Sequence, residues 1–131
     1  MTEYTWRGRF ADPDVNALHA EAFEHPLLAD AWGAQVVRHS LGWVTAVQDG
    51  ALVGFVNVAW DGGVHAFLLD TMVRADRRRC GIGRALVAAA VAGARESGCE
   101  WLHVDFGDEL RGFYLEECGF APTGAGLTPL R

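Results

Sequence analysis

The stretch Arg78-Arg79-Cys80-Gly81-Ile82-Gly83-Arg84 joins a strand-like run, Phe67 to Val73, to a helix-like run, Ala85 to Ala92. No other part of the chain restricts the fold as much. A strand that feeds a helix through a glycine-containing turn leaves the first N–H groups of that helix without intrahelical partners. Those groups, at the positive end of the helix dipole, make the bend a natural seat for phosphate. Arginines at 77, 78, 79 and 84 add positive charge around it. The basic character is local, because the whole chain has 11 Lys and Arg against 17 Asp and Glu, a net charge of −6. Nucleic-acid binding needs a broad basic face, which this distribution lacks. The acidic surplus suits a cationic partner or simply keeps the surface soluble.

A chain of 131 residues is expected to make one domain, 1–131, with a single core. Cys80, Cys99 and Cys118 are odd in number, widely spaced and form no Cys-x-x-Cys pair. With no apolar leader at the start, this suits a reducing, cytoplasmic compartment. The longest apolar run, residues 85–92, is far short of the roughly 20 residues that a membrane span needs. His19, His25, His39, His65 and His103 show no zinc-type spacing, so no metal is expected.

Patterning predicts a mixed α/β fold. Tyr4–Phe10 alternates as a short first strand, and Asp12-Pro13 marks a helix start carrying Val15, Leu18, Ala22 and Phe23 on one stripe. A second helix is expected over Leu27–His39. Trp43–Val47 and Leu52–Trp60 form a hairpin about Asp49-Gly50, and Asp61-Gly62-Gly63 turns the chain into a strand over Val64–Val73. Three strands then make an antiparallel meander. The helix from Gly81 to about Ser97 has Ile82, Leu86, Val87, Ala90, Val91 and Ala94 on its sheet-facing stripe, and Gly98 stops it. Trp101–Phe106 should be a strand parallel to the one before the helix, since a helical crossover links them. A last helix follows from about Asp108 to Glu117, and Phe120–Arg131 is expected as an irregular final strand or hairpin.

The order β-α-α-β-β-β-α-β-α-β, with the glycine turn after the fourth strand, resembles the GNAT superfamily of N-acetyltransferases. One motif is Arg78-x-x-Gly81-x-Gly83, similar to the family's acyl-CoA signature Arg/Gln-x-x-Gly-x-Gly/Ala. The other is Phe113-Tyr114-x-x-x-x-Gly119-Phe120, one residue longer than the shortest family form. Both lie within residues 67–120, on the expected elements. The resemblance implies a GNAT-like fold, a β-meander followed by a splayed parallel strand pair, flanked by about four helices. Departures are Arg79 and Cys80, where glycine and a basic residue are common, and Ala75, where many members have proline. Gly107-Asp108 replaces an asparagine that often contacts the pantetheine region.

The same resemblance implies an acetyl-CoA-dependent N-acetyltransferase, with direct attack of a primary amine on the thioester. The acceptor would be a small amine or an amino group of a peptide or protein. Backbone N–H groups of Arg79, Gly81, Gly83 and Arg84, with Ile82 between them, would hold the pyrophosphate, and Arg78, Arg79 and Arg84 would add charge-assisted contacts. Met72 and Val73 would offer backbone groups to the pantetheine arm, and the Met72 N–H would face the thioester carbonyl. Tyr114 occupies the general-acid position, and Asp70, which interrupts an apolar strand, is the first candidate for the base. His103 and Asp105, which share one strand face, or a water, are alternatives for the base or a substrate contact. Trp32, Trp43 and Trp60 suit either core packing or an aromatic wall for a cation. Cys80 lies among arginines, but direct transfer needs no acyl-enzyme. A CoA-binding regulatory module without catalysis is the rival reading, and a homodimer through the C-terminal segment is a further expectation.

Overall fold

The computed structural model describes residues 1–131. Five strands form one sheet in the order β1 (Thr2–Trp6), β2 (Ser40–Gln48), β3 (Ala51–Trp60), β4 (His65–Val73), β5 (Trp101–His103). The first four are antiparallel neighbours, and β4 and β5 are parallel. The β2–β3 link is the tightest turn. Asp49 and Gly50 both take positive φ, 52° and 77°, which matches the twist of the two strands it joins.

Helix α1 (Asp12–Ala22) and helix α2 (Trp32–His39) pack on one face of the sheet, and α3 (Ile82–Glu96) packs on the other. Val15, Leu18, Trp32, Val36, Phe55 and Met72 make the smaller core on the α1–α2 side. The larger core lies under α3, where Leu86, Val87, Ala90 and Ala94 meet Val44, Val56, Val58 and Leu68. Alternation along the strands divides these residues between the two faces.

Several boundaries differ from those the sequence suggests. β1 ends at Trp6, because Arg7 turns the chain with a φ of 57° and its Nε donates to the Leu41 carbonyl at 3.0 Å. α2 begins at Trp32, five residues later than Leu27. Asn16 of α1 holds the preceding segment in extended form: it donates to the Asp30 carbonyl at 3.0 Å and accepts from the Asp30 N–H at 3.1 Å. Asp12 then caps α2, accepting the Gly33 N–H at 2.8 Å. β5 covers only three residues instead of running to Phe106, since β4 has diverged from its line by then. Phe120–Arg131 forms no strand or hairpin, and its side chains are almost all exposed.

Candidate active site

The site is built around a single irregularity in β4. Phe55 pairs with Met72 but Asn57 pairs with Leu69, so Asp70 and Thr71 oppose the single residue Val56. This is a β-bulge, and Asp70 takes it up with a φ of 56°, a left-handed conformation that aspartate tolerates better than most residues. The bulge changes which face each side chain meets. Before it, Ala66 and Leu68 face α3. After it, Met72 joins the α1–α2 core, Asp70 reaches His19 of α1, and Thr71 reaches the opposite face. Pairing with β5 stops shortly before the bulge. β4 and β5 share only the pairs His65–Trp101, Ala66–Leu102 and Phe67–His103, after which the two strands separate.

Two titratable groups therefore flank the opening from opposite sides. On the α3 face, Tyr114 is 6% exposed and donates its hydroxyl proton to Thr71 Oγ1 at 3.1 Å. Phe106 stacks on it with centroids 5.1 Å apart, and Phe113 and Phe120 meet it edge-on. Burial in this aromatic box raises the Tyr114 pKa, and the Thr71 bond only partly offsets that. Tyr114 lies in a six-residue π-helical turn, Gly112–Glu117, where the Cys118 N–H reaches back to the Phe113 carbonyl at 2.9 Å. This wide turn absorbs the extra residue between Tyr114 and Gly119, a use typical of π turns at functional sites.

On the α1 face, the Asp70 carboxylate stands 3.5 Å from His19 Nε2, with both side chains about a quarter exposed (25% and 26%). Desolvation raises the Asp70 pKa, and the charge of His19 and its hydrogen bonding pull the other way without cancelling it. A carboxyl that holds its proton more tightly than usual is a better proton acceptor than an ordinary one.

The turn before α3 takes the shape its glycines allow. Gly81 has a φ of 82° and caps the helix without any side-chain hydrogen bond. Gly83 faces Phe113, and a Cβ there would stand 3.3 Å from the ring. The Ala85 N–H bonds to the Gly81 carbonyl. The N–H groups of Ile82, Gly83 and Arg84 precede the first intrahelical bond and have no acceptor in the chain. Arg79 takes a φ of 63° and pairs with no acid, and Arg84 is likewise unpaired and exposed. Arg78 Nε donates to the Val73 carbonyl at 3.2 Å. Arg77 is structural: its Nε donates to Gln48 Oε1 at 2.6 Å and it pairs with Asp76, which ties the loop to β2. Glu21 of α1 holds the same loop by accepting the Ala75 N–H at 2.6 Å. Unpaired donors, an unhindered glycine surface and free guanidinium groups together fit a diphosphate.

The family resemblance implies that Met72 and Val73 both present backbone groups to the open edge of β4. In the structure Met72 is turned toward β3. Its carbonyl lies 3.2 Å from where a Gly54 Cβ would stand, and the Arg74 N–H, two residues on, donates to Val53 at 2.8 Å. Polar groups two residues apart share one side of a strand, so Thr71 and Val73 face the opening and Met72 does not.

The alternative base residues, His103 and Asp105, lie at the end of β5 and just after it, and the charge of Asp105 acts on Tyr114. His103 bonds His65 at 2.7 Å and stacks on Phe67 with centroids 4.8 Å apart, and Asp105 is exposed. With Leu69 they form an uncovered strip on the Asp70 face, since Phe67 and Leu69 are 38% and 39% exposed. Trp32 and Trp43 are packing residues. Trp43 donates to the Gly8 carbonyl, whereas the buried Trp32 indole N–H has no acceptor. Trp60 is 43% exposed and donates to Gly63. The three cysteines are free, and Cys80 is exposed. Two residues of the site, Thr71 and His19, carry no sequence signal of their own, because their roles depend on the bulge. A surface cleft of about 410 Å³ between α1 and the β2–β3 turn is lined by neither Asp70 nor Tyr114. No three His, Cys, Asp or Glu side chains come together as a metal site would need. No helix is long and apolar enough to cross a membrane.

A bulged β4, a splayed parallel partner and an arginine-rich glycine turn opening α3 define the class, a mixed α/β fold with a phosphate-suited turn. The model of the acetyltransferase (GNAT) family matches residues 5–120, and the chain belongs to that family. It is 36% identical over 73 residues to a mycothiol acetyltransferase of Mycolicibacterium vanbaalenii, covering 56% of this chain and 23% of that protein. The chain thus spans about a quarter of that relative's length. Among solved structures it resembles an acetyltransferase of Trypanosoma brucei, with a TM-score of 0.80 at 19% identity, covering 98% of this chain and 99% of that one. It also resembles AAC(6')-Iy bound to a bisubstrate analogue, CoA-S-monomethyl-acetylneamine, with a TM-score of 0.78 at 18% identity, covering 100% of this chain and 98% of that one.

Proposed function

We propose that this protein is an acetyl-CoA-dependent N-acetyltransferase acting on a primary amine, with Asp70 as base and Tyr114 as acid. The observation that carries this is the bulge at Asp70. Consecutive side chains, Asp70 and Thr71, leave β4 toward opposite faces, so the base and the Tyr114 hydroxyl flank one slot. The free N–H groups of Ile82, Gly83 and Arg84, together with Arg78, Arg79, Gly81 and Arg84, would hold the diphosphate of acetyl-CoA. Thr71 and Val73 would offer the open edge of β4 to its extended arm, as an added strand does. Acetyl-CoA supplies the acyl group and a thiol leaving group.

The chain's own part in the reaction is proton handling and placement. Asp70 accepts a proton from the amine on the α1 face, and its raised pKa favours that acceptance. Tyr114 keeps its proton at neutral pH because it is buried, and gives it to the departing thiolate on the other face. The uncovered strip of Phe67, Leu69 and His103 beside Asp70 offers an apolar and aromatic surface to the body of the amine. That strip is what favours an acceptor with an apolar portion over a small, fully hydrated polyamine.

Thiol release from acetyl-CoA over a panel of amines tests the proposal. Turnover with amines that carry an apolar or aromatic body is expected, alongside saturable acetyl-CoA binding by calorimetry. Tight binding of acetyl-CoA with no thiol release across the panel would instead support a non-catalytic CoA-binding module.

A further inference from the structure

One cluster on the α1 face is left without a role by the chemistry above. His19 Nδ1 lies 2.6 Å from His25 Nε2, and His25 Nδ1 lies 2.7 Å from the Pro26 carbonyl oxygen. A carbonyl can only accept, so His25 Nδ1 must carry a hydrogen. Neutral His25 then has its lone pair on Nε2 and accepts, so His19 Nδ1 must donate. Neutral His19 is thereby left with its lone pair on Nε2, the nitrogen that faces Asp70 at 3.5 Å. The order of donors, from ring to ring to carbonyl, fixes one tautomer. The ring is also held by packing, with Phe23 and Trp32 centroids 4.6 and 5.4 Å away.

We propose that His19 is the proton acceptor behind Asp70, acting through it as a positioning and relay residue, an inference that rests on the acetyl-transfer reading with Asp70 as base. An N–H bond of the substrate ammonium breaks as an O–H bond forms on Asp70. That O–H bond then breaks as an N–H bond forms on His19 Nε2, and the imidazolium loses this proton to water. His25 and the Pro26 carbonyl keep Nε2, and not Nδ1, as the basic nitrogen throughout. Both side chains are about a quarter exposed, so a proton passed from Asp70 to His19 Nε2 can go on to water. The 3.5 Å separation is longer than a working hydrogen bond, as proton-transfer contacts often are before substrate is bound. The titratable groups within bonding reach of His19 are Asp70 on β4 and His25 after α1, and α2 contributes the Trp32 ring.

The test compares the parent with His19→Phe, which keeps a ring against Phe23 and Trp32, and with His25→Ala, which frees the tautomer. With an amine the parent turns over, His19→Phe is expected to lower kcat by about 10- to 100-fold, at or below the lower end for acid–base groups, while KM for acetyl-CoA is unchanged. The acid limb of its pH profile should move to higher pH, because His19 pulls the Asp70 pKa down. His25→Ala should lie between the two, and imidazole should restore part of the rate to His19→Ala. Nitrogen-15 spectra of the unliganded parent should show His19 protonated at Nδ1. Parental kcat and an unmoved pH profile in His19→Phe would overturn the proposal, as would a His19 protonated at Nε2 alone. A parent that releases no thiol with any amine overturns the acetyl-transfer reading and the relay with it, whereas the spectra still decide whether the histidine chain is ordered as described.

Discussion

The two faces of β4 beyond its bulge differ sharply. On the α1 face Asp70 and His19 are partly open to water, although the buried Trp32 ring packs on His19. On the α3 face Tyr114 is nearly sealed by Phe106, Phe113 and Phe120, and its one polar partner is Thr71. The difference matches the proton roles proposed for the two groups. A base that works repeatedly must return its proton to solvent, so it sits where water reaches it. An acid must hold its proton until a leaving group takes it, so it sits in a dry box where ionisation is costly. One residue's backbone conformation, at Asp70, separates the two environments.

The largest expected effect falls on the dry face. Tyr114→Phe keeps the aromatic packing and removes the acid, so kcat should fall about 100-fold or more while acetyl-CoA affinity stays near the parent's. Steady-state kinetics beside calorimetry checks this, and undiminished turnover would remove Tyr114 from the mechanism. On the open face, Asp70→Asn should lower kcat by about 100-fold and abolish the acid limb of the pH profile, which in the parent lies above the ordinary carboxylate range.

The same substitution separates function from stability. The folded Asp70 holds its proton more tightly than the unfolded one, so the native state binds the extra proton between the ordinary carboxylate pKa and the raised one. Stability therefore falls as pH rises through that window, and the penalty is complete above it. Asp70→Asn removes the penalty, and asparagine accepts the left-handed backbone well. Its melting temperature should exceed the parent's at pH 7, and the gain should vanish at pH values below the ordinary carboxylate range. A variant less stable at pH 7 would mean that the ion pair with His19 outweighs desolvation.

Smaller effects test the walls of the slot. Gly83→Ala places a methyl group against Phe113 and should cost about 1–3 kcal/mol in stability or acetyl-CoA binding, measurable by thermal melts and calorimetry. Thr71→Val removes the acceptor for the Tyr114 hydroxyl, and should slow turnover by less than Tyr114→Phe does. Smallest is the contrast among the arginines. Arg77→Ala should leave acetyl-CoA affinity almost unchanged, since its guanidinium is taken up by Gln48 and Asp76, whereas Arg79→Ala should weaken it. Equal losses from both would remove the distinction between a structural and a phosphate-facing arginine.

Much of the fold could be read from local chemistry. The Asp49-Gly50 hairpin, the apolar stripe of α3 and the glycine stop at Gly98 are signals contained in a few neighbouring residues, and the structure places those elements within three residues of the expected bounds. The candidates Tyr114, Asp70 and the 78–84 turn were also legible, because a motif or a polar interruption marks each of them. The start of α2 was not, since Asn16, far back in the chain, holds the segment before it extended. The length of β5 was not either, because a strand needs a partner and β4 stays beside it for only three residues.

The sequence by itself determined that a basic glycine turn joins a strand to a helix, that a carboxylate interrupts that strand, and that an aromatic pair follows at the spacing of a known family. Only the tertiary structure decided that Asp70 and Thr71 look to opposite faces, that Met72 turns its polar groups inward to β3, and that His19 stands beside Asp70. The physical reason is that a bulge shifts every later side chain and backbone group of a strand by one place, and its consequences appear only when the neighbouring strand and both helix layers are present.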